Sequence, residues 1–147
     1  MGEIQLREAT RGDEPALRRF LEAAGLPADD VSVDRQAFTL AVEEGRIVGS
    51  VALEVVGRDA LVRSLAVAPE HRRHGLGARL DDRARELAGR LGLCALYLLT
   101  TTAREYALRR GYEVVPRSEV PAGVLGLPQF RDLCPASATC MRWLSGA

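Results

Sequence analysis

A helix-period stretch running directly into a buried-strand signature constrains the fold of this 147-residue chain more than any other feature. Leu76, Leu80, Ala84, Leu87 and Leu91 recur at spacings of 4, 4, 3 and 4, which describes a long amphipathic helix. Residues 93–99 (LCALYLL) are then almost continuously apolar, as a central strand covered on both faces requires. Helix and strand together form the second part of a β–helix–β crossover, which demands a mixed sheet.

The rest of the chain supplies the other strands. Residues 4–7 (IQLR) alternate as a short strand does. Thr10 stands where a helix N-cap belongs, with Asp13 and Glu14 in the positive first turn. Leu17, Phe20, Leu21 and Ala24 follow on one helix face, and Gly25 ends it. Residues 37–43, 46–56 and 60–67 read as an antiparallel meander, turning at Glu44-Gly45 and at Gly57-Arg58-Asp59. Pro69 closes its last strand. After the crossover, Thr102-Ala103-Arg104-Glu105 has the form of a capping box for a second helix, which stops at Gly111. Residues 112–115 and 139–144 are the final strands. The expected fold class is α/β, a single domain over residues 1–147, with six to seven strands and about four helices.

Charge excludes some functions. The 20 Lys and Arg balance 20 Asp and Glu, and aromatics are 5% of the chain, so neither nucleic acid nor an anionic membrane is an expected partner. No apolar run approaches the ~18–20 residues that span a bilayer, and Met1-Gly2-Glu3-Ile4-Gln5 is no secretion signal. Leu6 stands where myristoylation wants Ser or Thr. Cys94, Cys134 and Cys140 are an odd, sparse set, which fits reduced thiols in the cytoplasm. His71 and His74 lack suitably spaced partners, so no metal site is expected; they read as phosphate neighbours or surface residues.

The chemistry is concentrated in Leu65-Ala66-Val67-Ala68-Pro69-Glu70-His71-Arg72-Arg73-His74-Gly75-Leu76-Gly77. A strand ends, a basic loop follows, and a helix begins at two glycines. The first helical turn has unpaired N–H groups and a positive dipole end, and Gly75 and Gly77 let an anion approach them. Arg72 and Arg73 add positive charge, so a diphosphate is the natural guest. A P-loop would need Lys and Ser or Thr after Gly77, where Ala78-Arg79 stands, and the third glycine of a dinucleotide fingerprint is replaced by Leu80.

Arg72-Arg73-His74-Gly75-Leu76-Gly77 does match the pattern Arg/Gln-x-x-Gly-x-Gly/Ala at a strand-to-helix junction. In this order of elements the chain resembles the GNAT superfamily of N-acetyltransferases over essentially its whole length. The resemblance implies a V-shaped splay between strands four and five and acetyl-CoA as co-substrate. It places the diphosphate on Arg72, Arg73, His74, Gly75, Leu76, Gly77 and Ala78, and the pantetheine arm along the backbone of Leu65, Ala66 and Val67. A neutral amine then attacks the thioester directly.

The chain departs from the family where Asn-x-x-Ala-x-x-x-Tyr-x-x-x-Gly-Phe is common. Counting back from Gly111, Ala103 is in place, Thr100 stands for Asn and Ala107 for the thiolate-protonating Tyr. Tyr106 is one residue early and so turned about 100° around a helix, which favours core packing. Tyr97 is an alternative acid and Glu54 a candidate base. Residues 96–102 and 129–141 resemble a bacterial subgroup named for arsenic resistance, implying a primary amine of an amino-acid-like toxin or an organoarsenical as acceptor. Residues 25–36, with Asp29, Asp30, Asp34 and Arg35, are expected to wall the acceptor end, opposite Ser137 and Thr139. Cys134 and Cys140 read as buried thiols or as a soft-ion pair. Three functions stand open: a small-molecule N-acetyltransferase, a protein or peptide N-acetyltransferase, and an acyl-CoA-binding sensor. Monomer and homodimer are both compatible with the sequence.

Overall fold

A computed structural model describes residues 2–133 and 137–146 of the chain. Seven strands form one sheet in the order β1-β2-β3-β4-β5-β7-β6. They are β1 (Ile4–Glu8), β2 (Ala37–Glu43), β3 (Arg46–Val56), β4 (Asp59–Val67), β5 (Ala95–Thr100), β6 (Glu113–Val114) and β7 (Thr139–Leu144). The helices are α1 (Glu14–Ala23), α2 (Leu76–Arg90), α3 (Arg104–Arg109) and α4 (Ala122–Leu125). The meander β1–β4 is antiparallel throughout, and its first hairpin turns on Glu44 and Gly45, both at positive φ (51° and 77°) as a type I′ turn needs. The crossover through α2 brings β5 parallel to β4.

Alternation along the strands builds two cores. Leu76, Leu80, Ala84 and Ala88 of α2 pack on Val51, Leu53, Ala60, Val62 and Leu96. Leu17 and Leu21 of α1 cover the other face with Phe38, Leu40, Ala52 and Ala66. On the same face as α1, α4 closes over Leu61, Ala95, Tyr97, Val115 and Phe130. Leu80 has no exposed surface. A Leu80→Ala variant is expected to lose about 2–5 kcal/mol of unfolding free energy, read by denaturant titration.

Two irregularities position the site. Ala52 of β3 faces Arg63, while Ser50 faces Ala66, so Val51 opposes both Ser64 and Leu65. That extra residue is a β-bulge in β4, with Ser64 at φ 59° and its carbonyl held by the Ser50 hydroxyl at 2.6 Å. The bulge restores Leu65 and Val67 to the face of α2, with Ala60 and Val62. The second irregularity is the brevity of the parallel pairing. β4 meets β5 only at Asp59, Ala60 and Leu61, opposite Ala95, Leu96 and Tyr97. From Val62 onward the two strands part, and the expected splay is present.

Local details differ from the sequence reading. Ala103, not Thr102, is the N-cap of α3, and no side chain of the cap itself bonds the helix. Thr100 does that work instead: its Oγ1 accepts from the backbone N–H of Ala103 at 2.8 Å and of Thr102 at 3.3 Å. β5 starts at Ala95 because Leu93 N–H still bonds the Ala88 carbonyl, wrapping the end of α2.

Candidate active site

The head of α2 has the form the glycines require. Arg73 and Gly75 sit at positive φ (67° and 80°), and nothing lies within 4 Å of a Cβ placed on Gly75. The Gly75 carbonyl accepts the first helical bond, from Arg79 N–H at 3.1 Å. The N–H groups of Leu76, Gly77 and Ala78 therefore have no intrahelical acceptor. Leu76 is only 3% exposed, and its side chain anchors the turn in the core beneath α2. Arg72, Arg73 and His74 are exposed around it, and Arg72 Nε reaches back to the Val67 carbonyl at 3.2 Å. His71 is not a surface residue: it is buried, with Nε2 3.2 Å from Glu43 Oε1.

The gap between β4 and β5 opens into a cleft of about 740 Å³ that crosses the sheet. On the α2 side it is lined by Ala103, Tyr106, Ala107 and Arg110. Tyr106 is the notable member. Its hydroxyl is buried without any hydrogen-bond partner, and a Cβ on Gly77 would lie 3.5 Å from it. Burial raises the Tyr106 pKa above the ordinary phenol value, as do Asp81 and Asp82, against the lowering effects of Arg110 and Arg85. The tyrosine is thus a donor aimed at the seam of cleft and helix head. Ala107, at the family's usual tyrosine position, is buried against Tyr112 and Met141. Behind this wall Asp81 accepts from Arg110 Nε at 2.9 Å and pairs with Arg85 at 3.2 Å, fixing α3 on α2.

On the other side of the sheet the walls come from residues 25–29, Arg63 and Gln129. The Arg63 side chain is fully buried; its Nη2 donates to Asp30 Oδ1 at 2.6 Å, and its Nη1 lies 3.4 Å from Glu54 Oε1. Burial pushes the Asp30 pKa up, but the hydrogen bonds and charge of Arg63 outweigh it and hold the carboxyl below its usual value. Of the loop carboxylates only Asp29 lines the cleft, joined by Glu22 from α1. Asp34 pairs with Arg11 and Arg35 bonds the Asp30 carbonyl, both away from it. Ala138 lines the cleft in place of Ser137 and Thr139. Gln129 is 6% exposed and its Oε1 has no partner.

The structure gathers Leu65, Thr100 and Tyr106 at the cleft and Arg72, Arg73, His74, Gly75, Leu76, Gly77 and Ala78 at the helix head beside it. Val67 lies at the junction, and the Ala66 side chain is turned to the α1 core. Two candidates lie outside the cleft lining. Leu96 and Leu98 take the α2 face, so Tyr97 is turned among Leu61, Val115 and Phe130 and does not line the cleft. Glu54 is buried beside Arg63, outside the cleft lining. Tyr106 is half-buried and lines the cleft, while Ala107 beside it also packs into the core with Tyr112 and Met141. Sequence reasoning missed Arg63, Ser64 and Gln129. Cys140 is buried, and burial pushes its thiol pKa up; Cys134 lies outside the described residues. Among the described residues no cluster of three or more His, Cys, Asp or Glu could hold a metal, and no helix is long and apolar enough to cross a membrane.

Residues 4–113 match the family described as acetyltransferase (GNAT) family. An amino-acid acetyltransferase of Pseudomonas paraeruginosa is 32% identical over 136 residues, covering 86% of this chain and 32% of the relative. The chain thus spans about a third of the length of that relative. An amino-acid acetyltransferase of Mycobacterium tuberculosis is 28% identical over 150 residues, covering 87% of this chain and 84% of the relative. Among solved structures, N-acetylglutamate synthase from Neisseria gonorrhoeae, complexed with coenzyme A and L-arginine, superposes with TM-score 0.79 at 20% identity, over 98% of this chain and 34% of that one. A Mycobacterium tuberculosis protein in complex with CoA gives TM-score 0.79 at 24% identity, over 95% and 98% of the two chains.

Proposed function

The chain belongs to the acetyltransferase (GNAT) family, and we propose that it transfers the acetyl group of acetyl-CoA to the primary amine of an amino-acid-like small molecule. One observation carries this reading. The anion-seeking head of α2 adjoins a cleft that opens between parted strands, and Tyr106 belongs to both. The residues fit the co-substrate. The N–H groups of Leu76, Gly77 and Ala78, with Arg72 and Arg73, would hold its diphosphate. The edge of β4 beyond Leu61, which has no strand beside it, would pair with the amides of the pantetheine arm.

Acetyl-CoA supplies the acetyl thioester: a C–N bond forms to the neutral amine as the C–S bond breaks, the nitrogen gives up one proton to solvent, and the thiolate leaves and takes up one, so the proton count is unchanged. The protein's part is placement and charge. Tyr106 offers the hydroxyl proton to the leaving sulfur. Glu22 and Asp29 draw an ammonium group toward the mouth. The relatives are amino-acid acetyltransferases, which supports an amino acid as acceptor. Arsenical amino acids, implied by the resemblance of residues 96–102 and 129–141, belong to the same class.

Calorimetry with acetyl-CoA, followed by thiol release with a panel of L-amino acids and an arsenical amino acid, tests the proposal. Saturable binding and amine-dependent thiol release are expected. Absence of binding removes the proposal, and binding without thiol release leaves a sensor. A Gly75→Ala variant would place a Cβ at φ 80°. It should lose about 1 kcal/mol of stability or more, and about tenfold or more in acetyl-CoA affinity, because the methyl group intrudes on the anion's approach.

A further inference from the structure

Gln129 opens a five-residue π-helical turn, Gln129–Leu133, that ends the chain's path from α4 back to the sheet. The turn is anchored by its second residue. Phe130 is 3% exposed in the cluster with Leu61, Tyr97 and Val124, and the Arg117 guanidinium lies 5.2 Å from its ring centroid. With Phe130 fixed, the preceding side chain lines the cleft on its acceptor side. There the Gln129 amide is more than nine-tenths buried, and its oxygen meets no donor. A buried acceptor left unpaired is rare and calls for an explanation, and in a cleft a ligand that brings a donor is one.

The surroundings say what that donor is. The cationic group of this wall, Arg63, is committed to Asp30 and Glu54. Among the described residues that line the cleft on this side, the other charged groups are the carboxylates of Glu22 and Asp29. The wall therefore selects N–H donors and positive charge. Gln129 differs from those carboxylates in being neutral. A carboxylate in its place would favour the ammonium form, which has no lone pair to attack a thioester, whereas a neutral amide oxygen takes a hydrogen bond from either form.

We infer that Gln129 binds the acceptor: its side-chain oxygen takes a hydrogen bond from the primary amine and presents the nitrogen to the gap between β4 and β5. This deepens the acetyl-transfer reading and rests on it. Tyr106 and Gln129, the two cleft side chains with an unpartnered buried oxygen among the described residues, then serve the two ends of one reaction.

The test uses Gln129→Met, which keeps length and apolar volume, and Gln129→Glu. The probe is the panel's fastest L-amino acid acceptor. For Gln129→Met, the KM for the amine should rise about tenfold while kcat changes less and acetyl-CoA affinity by calorimetry stays unchanged. The thermal midpoint should not fall, since no protein hydrogen bond of that oxygen is lost. For Gln129→Glu, the same KM should fall below that of Gln129→Met. An unchanged amine KM in both variants overturns the inference, and so does a loss confined to acetyl-CoA affinity. Failure of the parent protein to bind acetyl-CoA is a different result, and it removes the acetyl-transfer reading itself.

Discussion

A Tyr106→Phe variant loses about 10²–10⁴-fold in kcat with no loss of thermal stability. The two halves of this expectation come from one fact: the hydroxyl is buried and makes no hydrogen bond within the protein. Removing it breaks nothing in the fold, and it relieves an unsatisfied polar group. What it removes is the proposed proton donor, a hydroxyl at the junction of cleft and helix head. Burial keeps the phenol protonated beyond its ordinary range, so loss of this donor should not appear as an alkaline fall in rate below about pH 10. Steady-state kinetics beside a melting curve decide the matter. Turnover equal to that of the parent would show that the leaving thiolate needs no help from this residue.

The largest structural effect belongs to Arg63. Replacing it with Met leaves the buried Glu54 and the half-buried Asp30 without the guanidinium that pairs with both. Breaking a buried pair in this way typically removes about 3–5 kcal/mol, and the midpoint should fall by roughly 10 °C. The Arg63→Met, Asp30→Leu double variant should recover part of the loss, because it removes one stranded charge along with the guanidinium. The pair also sets an acid limit. Asp30 is held below its unfolded value, so its contribution is fully present above about pH 5 and is lost as pH falls through the folded value. Denaturant titrations at neutral and acid pH check both points. A single variant as stable as the parent would mean that Asp30 does not tie residues 25–36 to β4.

How much was legible follows from the distance over which each feature is encoded. The helix head is written within Arg72–Gly77, and every element of that turn depends on near neighbours. The meander and crossover are likewise carried by local periodicity. Arg63 and Asp30 stand 33 residues apart, and nothing in either neighbourhood marks them as partners. The bulge at Ser64 is hidden because ALVRSLAV reads as an uninterrupted strand; the extra residue appears only against Val51 of β3. Alternation correctly separates Tyr97 from Leu96 and Leu98, yet it does not say which face the cleft will use. For Tyr106 the 100° argument was sound for an ideal helix, but it needed the orientation of α3 on α2. That orientation is set by Asp81 and Arg110, 29 residues apart.

The brief pairing of β4 with β5 acts as a fulcrum. Asp59, Ala60 and Leu61 with Ala95, Leu96 and Tyr97 lie at one end, while the working walls extend from it like the legs of a compass. A slight change of twist at those six positions is magnified at the tips. The width of the cleft at its tips is therefore tied to six positions that lie outside its lining, and on the proposed reading a shift in acceptor preference can arise there while every lining side chain stays the same.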